Sequence, residues 1–380
     1  MVDSLISSLY NYVKKSCKGR LSMRKYYLDN IRWITVALVA IYHVIYIFNS
    51  IIPGTGMPFC KVQYQDALMY VVYPWFMVLL FIVSGMSSRY YLEKHTIKKF
   101  IIARTRKLLV PSTVGLLVIG WIQGYVNMAV AGAFEAMPDT IPMPVMFFIM
   151  VLSGTGVLWF VQMLWLFSLL LALIRRFEKG KIYTLTKKAN VLVMVLSVIP
   201  VWMSGQVLNM PIVSVYRFGI YLFAFLLGYF VFAHEEVIER ISKWKYVFIF
   251  GAVVLGVAYT ATYFGENYAV MPVVGSPLAT AYAWIATLAI FGSAKVWGDK
   301  ANAFTAFMSQ RSWGIYVFHY LALSIMAYGL RKYTNLPALP CYLFTGVAAF
   351  LGGLLLYEVV SRVPFLRWCA LGIKKEKSNV

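Results

Sequence analysis

Of the 380 residues, 61% are hydrophobic and 13% charged, with a mean hydropathy of +0.73, a balance that excludes a soluble globular domain and marks a polytopic membrane protein. Aromatic residues, 17% of the chain, fit the two interfaces of a bilayer, where Trp and Tyr concentrate. The formal charge of +21 would suit a polyanion, but the placement of the basic residues accounts for it without nucleic acid.

Residues 1–26 are basic with scattered Leu, Ile and Tyr, and are expected to lie on the inner membrane surface as a topology anchor. Apolar runs of about 17 to 25 residues then predict an all-α membrane domain over residues 27–365, followed by a basic tail, 366–380. Ten spans are expected: roughly Asp29–Asn49, Ala67–Ser88, Leu108–Gly132, Val157–Ile174, Asn190–Ser204, Val213–Ala233, Tyr246–Phe264, Leu278–Gly292, Trp313–Leu330 and Cys341–Val360. With both termini cytoplasmic, 30 of the 35 Lys and Arg residues fall inside, Lys61, Arg331 and Lys332 outside, and Arg32 and Arg217 within spans. That asymmetry is the positive-inside signature of a cell-membrane protein.

The first span, in the stretch Tyr26 to Ser50, carries Arg32 and His43. Eleven residues at about 100° each make three turns plus about 20°, so both side chains lie on one face, about 16 Å apart along the axis. A charged side chain near mid-bilayer costs on the order of 2.5 to 3.5 kcal/mol, so a span that keeps one usually faces a cavity, an ion path or a buried partner. Asp29 caps this helix or pairs with Arg32 three residues later.

The second span ends in Phe81-Ile-Val-Ser-Gly85, where small residues permit close approach of a backbone or a ligand. The loop Arg89 to Lys107 is basic, as topogenic charge on anionic headgroups or as a phosphate clamp. Met143 to Ile174 is too long for one span and is interrupted by Ser153-Gly-Thr-Gly156, which predicts an outer re-entrant or interfacial helix before a span starting near Leu158. Arg217 stands about one turn into the sixth span, either snorkelling outward or facing an acceptor site whose hydroxyls or acidic groups it would bind. His319 lies within the ninth span. Glu358, near the inner end of the tenth, needs a cationic or hydrogen-bonding partner, and Arg32 is at a similar depth. The cysteines show no metal-ligand spacing and no metal is expected; Cys60 and Cys341 share the outer side, but nothing in the sequence sets the distance a bridge would require. No Walker or Rossmann glycine pattern is present.

Arg32 and His43 with ten residues between them, Phe81-Ile-Val-Ser-Gly85, Ala103 to Pro111 (ARTRKLLVP), Leu158-Trp-Phe-Val161, Phe223 to Gly228 (FAFLLG) and Ser312 to His319 (SWGIYVFH) together resemble the acyltransferase 3 family of membrane acyltransferases. The start YYLDNIR and the late stretch LLLYEVVSRVPFLRW look most like its glucan biosynthesis protein C branch. The resemblance implies transfer of an acetyl or succinyl group from cytoplasmic acyl-CoA, a substrate and not a resident cofactor, to a hydroxyl of an extracytoplasmic glycan or glycan-lipid. It implies His43 as general base or transient acyl carrier, with Arg32, Arg104, Arg106 and Lys107 holding the donor and His319 and Trp159 lining its tunnel. Arg217, Glu358 and Asp29 would serve the substrate side. Two departures from the family pattern stand out: Lys107 where many relatives carry the second Arg of RxxR, and Val157 where many carry His before LWF. The competing class is a transporter or flippase for a glycan precursor or acyl donor, with Arg32, His43, Arg217 and Glu358 as a polar pathway. The sequence carries no signal for oligomeric state.

Overall fold

The computed structural model describes residues 25–373 except 53, 139, 211 and 212, so nearly all of the N-terminal surface segment and half of the basic tail lie outside the described residues. Helices dominate: α1 (Tyr26–Tyr46), α2 (Ala67–Leu92), α3 (Ile97–Val130), α4 (Met143–Ser153), α5 (Trp159–Glu178), α6 (Val191–Ser204), α7 (Phe218–Phe232), α8 (Glu235–Lys243), α9 (Lys245–Tyr263), α10 (Pro277–Trp297), α11 (Ala303–Tyr333), α12 (Ala338–Arg362) and α13 (Pro364–Leu371). Among the described residues, eight helices are long and apolar enough to cross a membrane, or nine if α7 and α8, bent by 96° to each other, make one span. The protein is an all-α, multi-pass membrane protein.

Ten spans were expected, and the difference falls in two places. The run Asn190–Ser204 forms only the short helix α6, broken at Ser197, and a helix of that length falls short of the roughly 20 residues a bilayer requires. The run Val213–Ala233 becomes helical only from Phe218, and the chain then turns sharply into α8. Glu235 anchors that turn with ion pairs to Lys25 at 2.8 Å and Lys295 at 3.2 Å. Burial opposes its ionisation, but the two ammonium groups outweigh burial and hold its carboxyl below the usual range, so this contribution is present above the ordinary carboxylate pKa and lost as the pH falls through the lowered one. The interruption at 153–156 is a real break, with α4 a separate helix ahead of α5.

Helix α2 is the centre of the bundle, with 72% of its apolar window buried against 17% for the peripheral α9. It packs on α1, α5, α7, α9 and α10, and α1 is held between α2 and α11. The glycines of two sequence motifs account for the closest of these crossings. A Cβ on Gly85 would strike the carbonyl of Phe225, and one on Gly228 the carbonyl of Ile82, so α2 and α7 touch backbone to backbone at both points. The base of α1 is tied to the end of α10 by Asn30, whose amide donates to the carbonyls of Gly298 at 2.6 Å and Lys300 at 2.9 Å. Its C-terminal end is tied to the next loop through Asp66, which accepts from the backbone and hydroxyl of Ser50. Helix α3 carries two wide π turns, Thr105–Leu109 and Leu116–Gly120, on either side of Pro111, whose missing N–H interrupts the ordinary ladder.

Gly85→Leu is expected to force α2 and α7 apart at a cost on the order of 1 to 3 kcal/mol, read as a lower apparent melting temperature and reduced yield of monodisperse protein. Gly329→Ala, where nothing lies within 4 Å of the new methyl, leaves both unchanged.

Candidate active site

The polar stripe of α1 opens onto two cavities in succession. Arg32 and Val36 line the first, and Val39 and His43 line the second, so the helical repeat of 3.6 residues carries one face past both. Arg32 and His43 therefore share a stripe but not a chamber.

The first cavity, about 350 Å³, is cationic. Arg32, Arg104 and Lys107 line it together with Ser84, Ser87, Ser309, Gln310 and Ser312, and no Asp or Glu is among its lining residues. Arg32 donates to Ser87 Oγ at 2.9 Å and pairs with Asp29 at 3.2 Å, while Arg104 donates to Ser88 Oγ at 2.9 Å. The Arg104 guanidinium stands 5.2 Å from the Phe100 ring and the Lys107 ammonium 5.7 Å from the Trp313 ring. Asp29 pairs with Arg32 from outside the lining, and three cations around one cavity still give a wall whose chemistry suits an anion.

The second cavity, about 330 Å³, is neutral and aromatic. Tyr42, Tyr46, Tyr73, Tyr221, Tyr316, Tyr320 and Trp159 line it, with Thr55, Asn127, Ser214 and Asn267 as further polar groups. His43 is its one ionisable nitrogen base, and no Asp, Glu, Lys or Arg is among its lining residues. Tyrosine rings with amides and hydroxyls between them offer flat apolar faces and donors around the edge, a surface suited to polar, uncharged rings.

His319 of α11, fully buried, meets His43 at the back of this cavity. Its Nδ1 lies 3.0 Å from the Ile315 carbonyl and 2.9 Å from the Tyr316 carbonyl, and its Nε2 is 3.1 Å from His43 Nδ1. Carbonyl oxygens only accept, so the network assigns the proton of His319 to Nδ1 and leaves its Nε2 as an acceptor. His43 then donates from Nδ1, and the lone pair of a neutral His43 is on Nε2. Two backbone carbonyls thereby set the tautomer of a ring on another helix.

The remaining candidates divide. Arg104 and Lys107 share the cation cavity with Arg32 as expected, but Arg106 is exposed and does not line it, because its place on α3 turns it away from the face of its two neighbours. Trp159, expected along the donor tunnel, lines the His43 cavity, and its neighbour Phe160 lines the cation cavity. His319 lines neither cavity and is instead the partner of His43. Asp29 does not cap α1, whose N-cap is Lys25, and sits with Arg32 at the opposite end of the stripe from His43. Glu358 lies 3.6 Å from Arg311 rather than pairing with Arg32, and lines neither cavity. Arg217 does not snorkel: it is 6% exposed at the start of α7, donates to the Val274 carbonyl at 3.3 Å, and leaves Nε without a partner. It stands behind the wall of the second cavity rather than in its lining. Cys60 and Cys341 are both free thiols. Sequence reasoning did not single out Tyr316, although it stands inside SWGIYVFH one turn before His319, nor the serines that hold the two arginines.

This arrangement, a buried base beside a neutral cavity with a cationic cavity along the same helix, is that of a membrane-embedded group-transfer enzyme. A family model described as an acyltransferase domain, that of the acyltransferase 3 family, matches residues 25–358, which include every residue that lines the two cavities, and the chain belongs to that family. The protein is thus a membrane acyltransferase. Comparison with curated proteins and with solved structures gives no match.

The histidine network predicts a specific spectrum. In ¹⁵N-histidine-labelled protein at alkaline pH, solid-state NMR is expected to find His319 protonated at Nδ1 with a hydrogen-bonded, unprotonated Nε2, and His43→Ala is expected to shift that Nε2 resonance. A His319 signal protonated at Nε2 would contradict the assignment.

Proposed function

We propose that the protein moves an acyl group from acyl-CoA, held at the cation cavity, to a hydroxyl of a glycan or glycan-lipid in the His43 cavity on the other side of the membrane. The observation that carries this reading is the division of chemistry along α1: charge suited to phosphates at Arg32, a neutral base among tyrosines and amides at His43. Lys and Arg bias among the loops supports a cytoplasmic mouth for the cation cavity, the side on which acyl-CoA is made, and an inner or plasma membrane location with both termini in the cytoplasm. The likeness to the glucan biosynthesis protein C branch favours succinyl over acetyl and a periplasmic glucan as acceptor.

In this mechanism Arg32, Arg104 and Lys107 bind the phosphates of CoA, and Ser87 and Ser88 hold the two guanidinium groups in place. The pantetheine arm runs along the stripe, about 16 Å of helix from Arg32 to His43. His43 Nε2 takes the proton of the acceptor hydroxyl as its oxygen attacks the thioester carbon. The carbon–sulfur bond breaks, the carbon–oxygen ester bond forms, and the proton passes from His43 to the CoA sulfur. His319 keeps the His43 lone pair on Nε2 and accepts from its Nδ1–H when the ring becomes imidazolium.

Everted membrane vesicles supplied with labelled acyl-CoA on their outer face test the reading: label is expected in the glycan fraction, a result a pure transporter cannot produce. His43→Ala is expected to lower kcat by about 10² to 10⁴ with normal protein abundance, and full retention of acylation would reject His43 as the base. Arg104→Gln is expected to raise KM for acyl-CoA by about 10 to 100-fold, the value of charge-assisted hydrogen bonds, with a smaller effect on kcat.

A further inference from the structure

We propose that Tyr316 is a movable partition between the two chambers, and that the acyl end of the donor reaches His43 by displacing its ring. The inference rests on the two-substrate reading above. Tyr316 is the one lining residue that the two cavities share. Its ring is stacked near Trp313 of the cation cavity at 5.9 Å and meets Phe160 edge-on at 5.9 Å. Its hydroxyl donates to the carbonyl of Val157, in the short turn where the chain has not yet entered the regular ladder of α5. Val157 itself lines the His43 cavity, so the phenol spans the boundary from one chamber to the wall of the other.

The backbone and the side chain of Tyr316 are held by different means. The Tyr316 carbonyl accepts from His319 Nδ1 and so belongs to the histidine network, whereas the side chain is fixed by ring contacts and one hydrogen bond to a main-chain oxygen. A tyrosine in a helix has two open χ1 wells, so the ring can swing without disturbing the histidines. The partition has a chemical purpose. A base that activates a hydroxyl also activates water, and water attack on the thioester would release free acid and CoA thiol with nothing acylated. A ring that stands between thioester and base until the arm pushes it aside limits that loss. Tyr316 acts here as a positioning residue that separates the reactants.

The test uses full-length protein in liposomes with the four native cysteines replaced by serine. Ser214→Cys reports on the His43 cavity and Ser84→Cys on the cation cavity, each probed with a small charged methanethiosulfonate applied to one membrane face at a time. With Tyr316 present, each cysteine is expected to react from one face only, and from opposite faces. With Tyr316→Ala, both are expected to react from either face. Labelling that stays one-sided in Tyr316→Ala, or that is two-sided with Tyr316 intact, overturns the partition. This readout does not depend on acyl transfer, so it separates failure of the partition from failure of the donor and acceptor assignment. Tyr316→Phe keeps the ring and loses only the tether to Val157. It covers the case in which the alanine variant does not fold, and its labelling is expected to become partly two-sided. Its release of thiol from acetyl-CoA or succinyl-CoA without acceptor is expected to rise about fivefold, the factor one hydrogen bond is worth, and an unchanged rate would overturn the role of the tether.

Discussion

The hydrogen bond between His43 and His319, 3.1 Å long and between helices whose residues are 276 positions apart, is the contact on which the site depends. A polar ring inside an apolar bundle is costly unless its nitrogens are satisfied, and here each ring satisfies part of the other. The chain of hydrogen bonds runs from His43 Nδ1–H to His319 Nε2 and from His319 Nδ1–H to the Ile315 and Tyr316 carbonyls of α11, which leaves the free lone pair of His43 on Nε2. It positions α1 against α11 and brings Tyr316, one turn earlier on α11, to the boundary between the cavities. The tautomer of His43 and the place of Tyr316 in both cavity walls thus follow from one local network.

Around that network the charges are sorted by distance along α1. Arg32, Arg104 and Lys107 gather at one end without a lining carboxylate, and the serines that accept from the arginines are neutral, so the positive potential of that chamber is not cancelled within its own wall. At the other end the lining is tyrosine, amide and hydroxyl, and the buried Arg217 is not among the residues that line it. An anion entering the first chamber finds compensation that the second does not offer, and a neutral polar ring finds stacking faces that the first lacks. In the proposed function, this asymmetry is what directs two different substrates to two different ends of one helix.

The close crossing of α2 and α7 sustains this layout. With no Cβ at Gly85 or Gly228, the helices meet backbone to backbone, and α2 then presents Ser84 and Ser87 to one cavity while α7 presents Tyr221 to the other. The break before α5 has a parallel effect. It frees the Val157 carbonyl for Tyr316 and directs Trp159 and Phe160, adjacent in the chain, to opposite chambers. The valine at 157 offers its main-chain carbonyl to Tyr316 and lines the His43 cavity.

By itself the sequence determined the helical class, the break at 153–156, the shared face of Arg32 and His43 and the family, because composition, helical period and motif order are local properties of the chain. It also indicated Arg104 and Lys107, three residues apart on one helix face. Only tertiary structure decided that His319 bonds to His43 and lines neither cavity, that Trp159 faces the neutral chamber, that Arg106 lies outside the cation cavity, that Glu358 pairs with Arg311, and that α6 is too short and α7 too sharply bent to be simple spans. The physical reason is that a hydropathy window counts apolar residues without seeing a bend, and a motif lists residues without saying which helix each one faces. Those partners are chosen by packing between elements far apart in sequence, and the place of one tyrosine in the walls of both cavities is a property of the packed bundle alone.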